Sequence, residues 1–273
     1  MKIGLTSIAI MCGAMVFSAE NIQFSTKPNQ KILSSGKAVS SFRIMPEDLK
    51  EDKFYRVTMQ IKLNQTDNLV TGIYRGEKAA PSFNRTGKFS TEWQTFCQYI
   101  APGTSWSYYS LGAKTKGNAF LVKDIKVEAL DEQDLTCNLL PPLKELGWSN
   151  AWNAKEAKME FEKSEDSPFG AEILTAEIGA GTGYPATLGI PVVPGRTLVL
   201  TMWVKGEPDE IWLATVNGCG TKIFPVKKEW CKQQIKFQVN AKASTVSNLI
   251  FWKNKNQKQL KCSFGQVEAY YEK

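Results

Sequence analysis

The feature that most constrains this chain is that its second half repeats its first. "STEWQTFCQYI" (Ser90–Ile100) and "KKEWCKQQIKF" (Lys227–Phe237) open with the same Glu-Trp pair, and their tryptophans, Trp93 and Trp230, lie 137 residues apart. Upstream, "YRVTMQIKLNQTDNLVTG" from Tyr55 matches "LVLTMWVKGEPDEIWLAT" from Leu198, with Thr58-Met59 over Thr201-Met202 and Lys62 over Lys205. Downstream, "SYYSLGAKTKG" from Ser107 corresponds to "SNLIFWKNKNQ" from Ser247, and Asp124-Ile125 falls opposite Gln266-Val267 in the closing segments. Four segments in the same order describe one domain written twice.

Both copies read as β. Val57, Met59, Ile61 and Leu63 alternate with Arg56, Thr58, Gln60 and Lys62, the period of two of a half-buried strand. The other segments are short, rich in Val, Ile, Thr and aromatics, and punctuated by Gly, Asn, Pro or Asp. "NAKEAKMEFEK" (Asn153–Lys163) fits a short helix and a strand equally well. Many short strands without a βαβ rhythm predict an all-β chain of two tandem antiparallel β-sandwich, jelly-roll domains. The first is expected over residues 20–131, a polar, proline-punctuated linker over 132–137, and the second domain over 138–273.

The N-terminus, "MKIGLTSIAIMCGAMVFSAE", has one Lys, an apolar run and then small residues. That is the layout of a signal peptide, here residues 1–19. The run is too short for a membrane span, so the mature chain is expected to be secreted, periplasmic or on the cell surface. Five cysteines remain after cleavage: Cys97, Cys137, Cys219, Cys231 and Cys262. Three of them fall in the second half, where one bridge is expected.

The chain has no histidine, which removes Ser-His-Asp and Cys-His nucleophiles and His-bearing zinc sites. Carboxylate, Lys or Tyr chemistry is what remains, and an enzyme is not expected. The net charge of +7 is spread along the sequence, which points to a solvated surface and not a nucleic-acid face.

The second half also resembles a known family. An opening "NLLPPLKELGW", a strand after a Pro-Gly turn in "VVPGRTLVLTMWVKG", the Glu-Trp strand and the closing "FGQVEAYY" are similar to CenC-type carbohydrate-binding modules of the galactose-binding-like superfamily. The resemblance covers most of residues 138–273 and, more loosely, Phe54–Leu130. It implies a jelly roll with an aromatic-lined sheet that binds glycans. It also implies a structural calcium near an Asp of the closing strand; Asp124 keeps that position and Gln266 replaces it in the second copy. No other cofactor is expected.

Strand alternation suggests where a ligand sits. If Leu200, Met202 and Val204 face the core, Thr201, Trp203 and Lys205 face outward; the same reasoning turns Trp212 and Trp252 outward. Indoles suit the apolar faces of sugar rings, and neighbouring polar groups suit the hydroxyls. The candidate carbohydrate-binding residues are therefore Trp203, Trp212, Trp252, Thr201 and Lys205. Their counterparts in the first copy are Gln60, Val70 and Gly112 for the three tryptophans, so the second domain is expected to bind. Trp93 and Trp230 are read as core and turn residues. The alternative is a structural or adhesion protein of the envelope that uses the same fold for protein contacts.

Overall fold

The computed structural model describes residues 32–33, 42–44, 52–75, 78–79, 88–102, 108–113, 115, 118–140, 149–152, 157–170, 172–179, 184–208, 211–216, 218–240, 245–253 and 260–273. The expected leader, Trp106 and Trp148 lie outside them. The chain divides into two compact units, Met1–Leu130 and Asp131–Lys273.

The first unit contains β1 (Ile32–Leu33), β2 (Phe42–Ile44), β3 (Tyr55–Leu63), β4 (Asp67–Arg75), β5 (Lys78–Ala79), β6 (Lys88–Phe89), β7 (Gln94–Ile100), β8 (Tyr108–Ala113) and β9 (Ala119–Ala129). One sheet has the order β1-β9-β3-β7 and the other β2-β8-β4-β5, with β6 also paired to β4. Every pairing is antiparallel. On β3 burial alternates strictly, with Val57, Met59, Ile61 and Leu63 inside.

The second unit begins with a one-turn helix, α1 (Glu132–Leu135). Asp131 and Asp134 form a reciprocal capping box there, each side chain accepting from the other's backbone N–H at 2.9 Å, which satisfies two donors of the first turn. Leu135 is buried, and the segment expected as a linker falls within the unit that begins at Asp131. The strands are β10 (Ser149–Trp152), β11 (Ala157–Lys163), β12 (Glu172–Ile178), β13 (Tyr184–Val192), β14 (Thr197–Gly206), β15 (Ile211–Val216), β16 (Gly220–Pro225), β17 (Cys231–Gln238), β18 (Thr245–Lys253) and β19 (Leu260–Tyr271). Their sheets run β11-β12-β19-β14-β17 and β10-β13-β18-β15-β16. The ambiguous "NAKEAKMEFEK" thus ends in a strand, β11.

Aromatic side chains join the two sheets of this unit. Phe264 on β19 stacks on Phe251 of β18 at 4.9 Å and meets Trp212 of β15 edge-on at 5.6 Å and Phe224 of β16 at 6.4 Å. All four are buried. Tyr271 closes one end: its hydroxyl donates to Pro191 O at 2.7 Å and accepts from Val193 N at 2.9 Å.

The repeat recurs in the register. β3 lies between β9 and β7 as β14 lies between β19 and β17. Thr58 pairs with Lys126 and Gln60 with Lys123; Thr201 pairs with Glu268 and Trp203 with Gly265. In each case one strand advances two residues while the other advances three, a β-bulge. The residues that absorb it, Asp124 (φ 52) and Gln266 (φ 42), are the positive-φ non-glycine positions of the described chain, and they are the pair matched in the sequence.

The five cysteines are free thiols, so the expected bridge in the second half is not formed. Cys262 is buried inside its sheet, whereas Cys219 and Cys231 are half-buried on other strands or turns. Burial pushes the Cys97 thiol up to about 12. Among the described residues no helix is long and apolar enough to cross a membrane.

Candidate functional site

The five expected binding residues do not form one platform. Trp203 and Lys205 lie, as alternation requires, on the face of β14 away from the core, and both are half-buried. Thr201 shares that face but is only 6% exposed, its hydroxyl 3.5 Å from Glu268 Oε2. It is covered by its neighbours rather than presented to solvent.

Trp212 is a correction: its indole is 0% exposed and lies in the core against Phe264. The cause is one residue of register. Leu213, not Trp212, pairs with Trp252, while Val70 pairs with Gly112. Opposite the matched pair Gly112 and Trp252, therefore, Trp212 corresponds to Leu69, which is also fully buried. Because side chains alternate, a slip of one exchanges inside for outside. Trp252 lies on β18 in the other sheet, and its side chain is outside the described set.

Asp124 is exposed at its bulge. A left-handed backbone favours short polar side chains such as Asp, and Gln266 holds the same conformation in the second copy. Among the described residues no group of three or more His, Cys, Asp or Glu side chains could hold a metal ion.

What the structure does assemble lies on the outer face of the β11-β12-β19-β14-β17 sheet. The connection from β11 to β12, residues 164–170, folds back over that face. Ser167 ties it internally, donating to the carbonyls of Ser164 and Gly170, and Gly170 turns the chain at φ 105. Phe169 settles directly on Gly265: a Cβ there would come within 1.8 Å of the phenyl ring. The ring also lies 6.1 Å from Trp203 at 31° and meets Trp230 edge-on at 5.1 Å and 89°.

Asp166 fastens the same connection. It accepts from the Lys205 ammonium, from the Ser164 hydroxyl and, at 3.5 Å, from the Trp230 indole N–H. These hydrogen bonds, Lys205 first, hold its carboxyl at about 2, well below the usual range. Lys205 Nζ also sits 5.9 Å from the Trp230 ring. Beside this cluster opens a cleft of about 450 Å³, with Glu162, Asp166, Lys205, Trp230, Lys261 and Ser263 among its walls. Its floor is hydrogen-bonded: Thr175 donates to Glu162 Oε1 at 2.7 Å and lies 3.1 Å from Ser263 Oγ.

Trp230 is therefore a wall of the cleft, not a core residue, and Trp93 is 37% exposed. In the first unit Lys123 takes the place of Gly265 and lays its ammonium 4.3 Å from the Trp93 ring. Gln60 replaces Trp203 and donates to Thr95 at 2.7 Å. Phe169 and Asp166 were not legible as site residues. The available signal was Gly265 itself, since a glycine inside a strand often marks close approach by another group.

Chemically, the cleft offers an indole edge, a fixed ion pair and hydroxyl and carboxylate acceptors. Asp166 stays ionised in all but strongly acid solution, so it accepts hydrogen bonds and does not serve as a proton donor near neutrality.

No family model matches the chain, and no curated protein matches it. Among solved structures it is similar to the tandem CBM22-1–CBM22-2 domains of Paenibacillus barcinonensis Xyn10C. There the identity is 11%, with 92% of this chain and 90% of that chain covered and a TM-score of 0.31. The xylan-binding CBM22-1 domain of the same protein aligns at 15% identity over 50% of this chain and 91% of that one, with a TM-score of 0.35. An arabinose-bound MgGH51 α-L-arabinofuranosidase aligns at 11% over 52% of this chain and 27% of its own, with a TM-score of 0.41.

Proposed function

We propose that this chain is an exported, non-catalytic glycan-binding protein whose binding site is the cleft of the second unit. The observation that carries the reading is a cleft of about 450 Å³ on the outer sheet face in which Trp230 stands beside Lys205, Asp166, Glu162 and Ser263. Sugar rings need an apolar surface for their C–H faces and fixed partners for their hydroxyls. Here Trp230 supplies the first and Lys205, Asp166, Glu162 and Ser263 the second. In this reading Lys205 contacts the ligand, as expected from the sequence, and Trp230 stands in for Trp212, which lies in the core.

The test is isothermal titration of the full chain with soluble β-1,4-linked gluco-, xylo- and galacto-oligosaccharides after a glycan-array screen. Trp230→Ala and Lys205→Ala are expected to weaken binding roughly two- to tenfold each, the range of single aromatic or charged contacts at exposed sites. Trp252→Ala is the opposing arm. Loss of binding in that variant with none in Trp230→Ala would move the site to the other sheet, and absence of binding to every glycan by the intact chain would remove the reading.

A further inference from the structure

Trp230 belongs both to the cleft wall and to the aromatic cluster around Gly265. Gly265 lacks any backbone reason to be glycine, since its φ is not among the positive values. Its reason is space: the Phe169 ring fills the volume in which any β-carbon would stand. Trp203 faces that ring at 31° and Trp230 meets it edge-on. The result is a slot floored by backbone and walled by two indoles, holding one flat six-membered ring. The matched position of the first unit, Lys123, has no such notch.

The ring that fills the slot is not part of the sheet. It comes from the 164–170 connection, whose polar anchors are exposed: Asp166 and Lys205 side chains are 57% and 37% accessible. Exposed ion pairs contribute little to stability, so the connection is fastened to the sheet mainly by Phe169 itself.

We infer that the Gly265 slot between Trp203 and Trp230 is a pyranose subsite, and that Phe169 occupies it as a displaceable plug. A pyranose ring matches a phenyl ring in size and carries an apolar C–H face suited to Trp203. Its rim of hydroxyls would meet Lys205, which stays on β14 and loses its Asp166 partner once the connection lifts. Apparent affinity is then reduced by the small fraction of molecules with the slot open. This rests on the glycan-binding reading and goes beyond it by naming a second ring position and the residue that competes for it.

The experiment titrates the full chain and its Phe169→Ala, Phe169→Leu and Phe169→Ala/Gly265→Val variants with the β-1,4-linked gluco-, xylo- and galacto-hexasaccharides, following heat and indole fluorescence. Thermal melts establish that each variant is folded. Phe169→Ala is expected to bind about tenfold more tightly, from removal of a competitor held by two aromatic contacts. Phe169→Leu, which still fills the slot, is expected to stay near the parent, and Gly265→Val is expected to cancel the gain by filling the notch from below. Unchanged or weaker binding by Phe169→Ala, in a chain whose parent binds, would overturn the plug and leave the cleft standing. Failure of both parent and Phe169→Ala to bind any of the glycans would overturn both.

Discussion

Replacing Trp212 by Ala distinguishes a core indole from a glycan-facing one. The indole is fully buried and edge-on to Phe264, which in turn contacts Phe224 and Phe251. An aromatic side chain of this class buries roughly 150–250 Å², worth about 4–6 kcal/mol at ~25 cal/mol/Å². That is an upper bound, because the unfolded chain already hides part of this surface. Truncations of buried Phe or Trp cost about 3–5 kcal/mol, a large part of the roughly 5–15 kcal/mol that holds a domain together. Urea unfolding followed by far-UV circular dichroism should show the second unit's midpoint falling by on the order of 2 M, and its melting temperature by on the order of 10 °C. Leu69→Ala, at the matched buried position of the first unit, should move the other unit's transition and so assign the two. A Trp212→Ala protein destabilised by less than about 1 kcal/mol, yet unable to bind glycan, would refute the core placement and restore Trp212 to the site.

Other consequences can be checked independently. The Asp166 carboxyl, held at about 2 by Lys205, Ser164 and Trp230, has a folded pKa below its unfolded value. Its contribution is therefore present above about pH 4 and lost as pH falls through about 2. Carbon-detected NMR of the side chain should place the midpoint near 2, and a midpoint near 4 would show that the anchor is not formed. Thiol reactivity should follow burial: Cys137 is exposed and reacts first with a disulfide reagent at pH 8, whereas Cys97, pushed up to about 12, and Cys262 stay unmodified in the folded chain. Peptide mapping that finds Cys97 labelled as fast as Cys137 would contradict the packing of the first unit. Tyr271→Phe leaves Pro191 O and Val193 N without their buried partner and should cost about 1–3 kcal/mol in the same urea assay; no loss would mean that water replaces the hydroxyl.

The period of two in "YRVTMQIKL" and its match at Leu198 was enough to predict paired antiparallel sheets, because alternation is a local property that any half-buried strand must show. The pairing of Asp124 with Gln266 was legible too, and the structure gives the reason: both sit at the same bulge with a left-handed backbone. The side on which β15 places its alternate residues was not legible. Trp212 and Leu213 exchange core and surface on a shift of one residue, and no local preference separates the two registers.

Sequence by itself thus determined the strand-rich class and the outward placement of Trp203 and Lys205, which follow from neighbours along one strand, and the duplication, which follows from segments matched in the same order. Tertiary structure alone assembled the candidate site. Phe169, Trp203, Trp230 and Gly265 come from four separate segments, and Asp166 reaches Lys205 across 39 positions. Contacts of that kind depend on how a connection folds back over a sheet, and the energy that settles it is the fit of one ring into a notch left by a missing β-carbon.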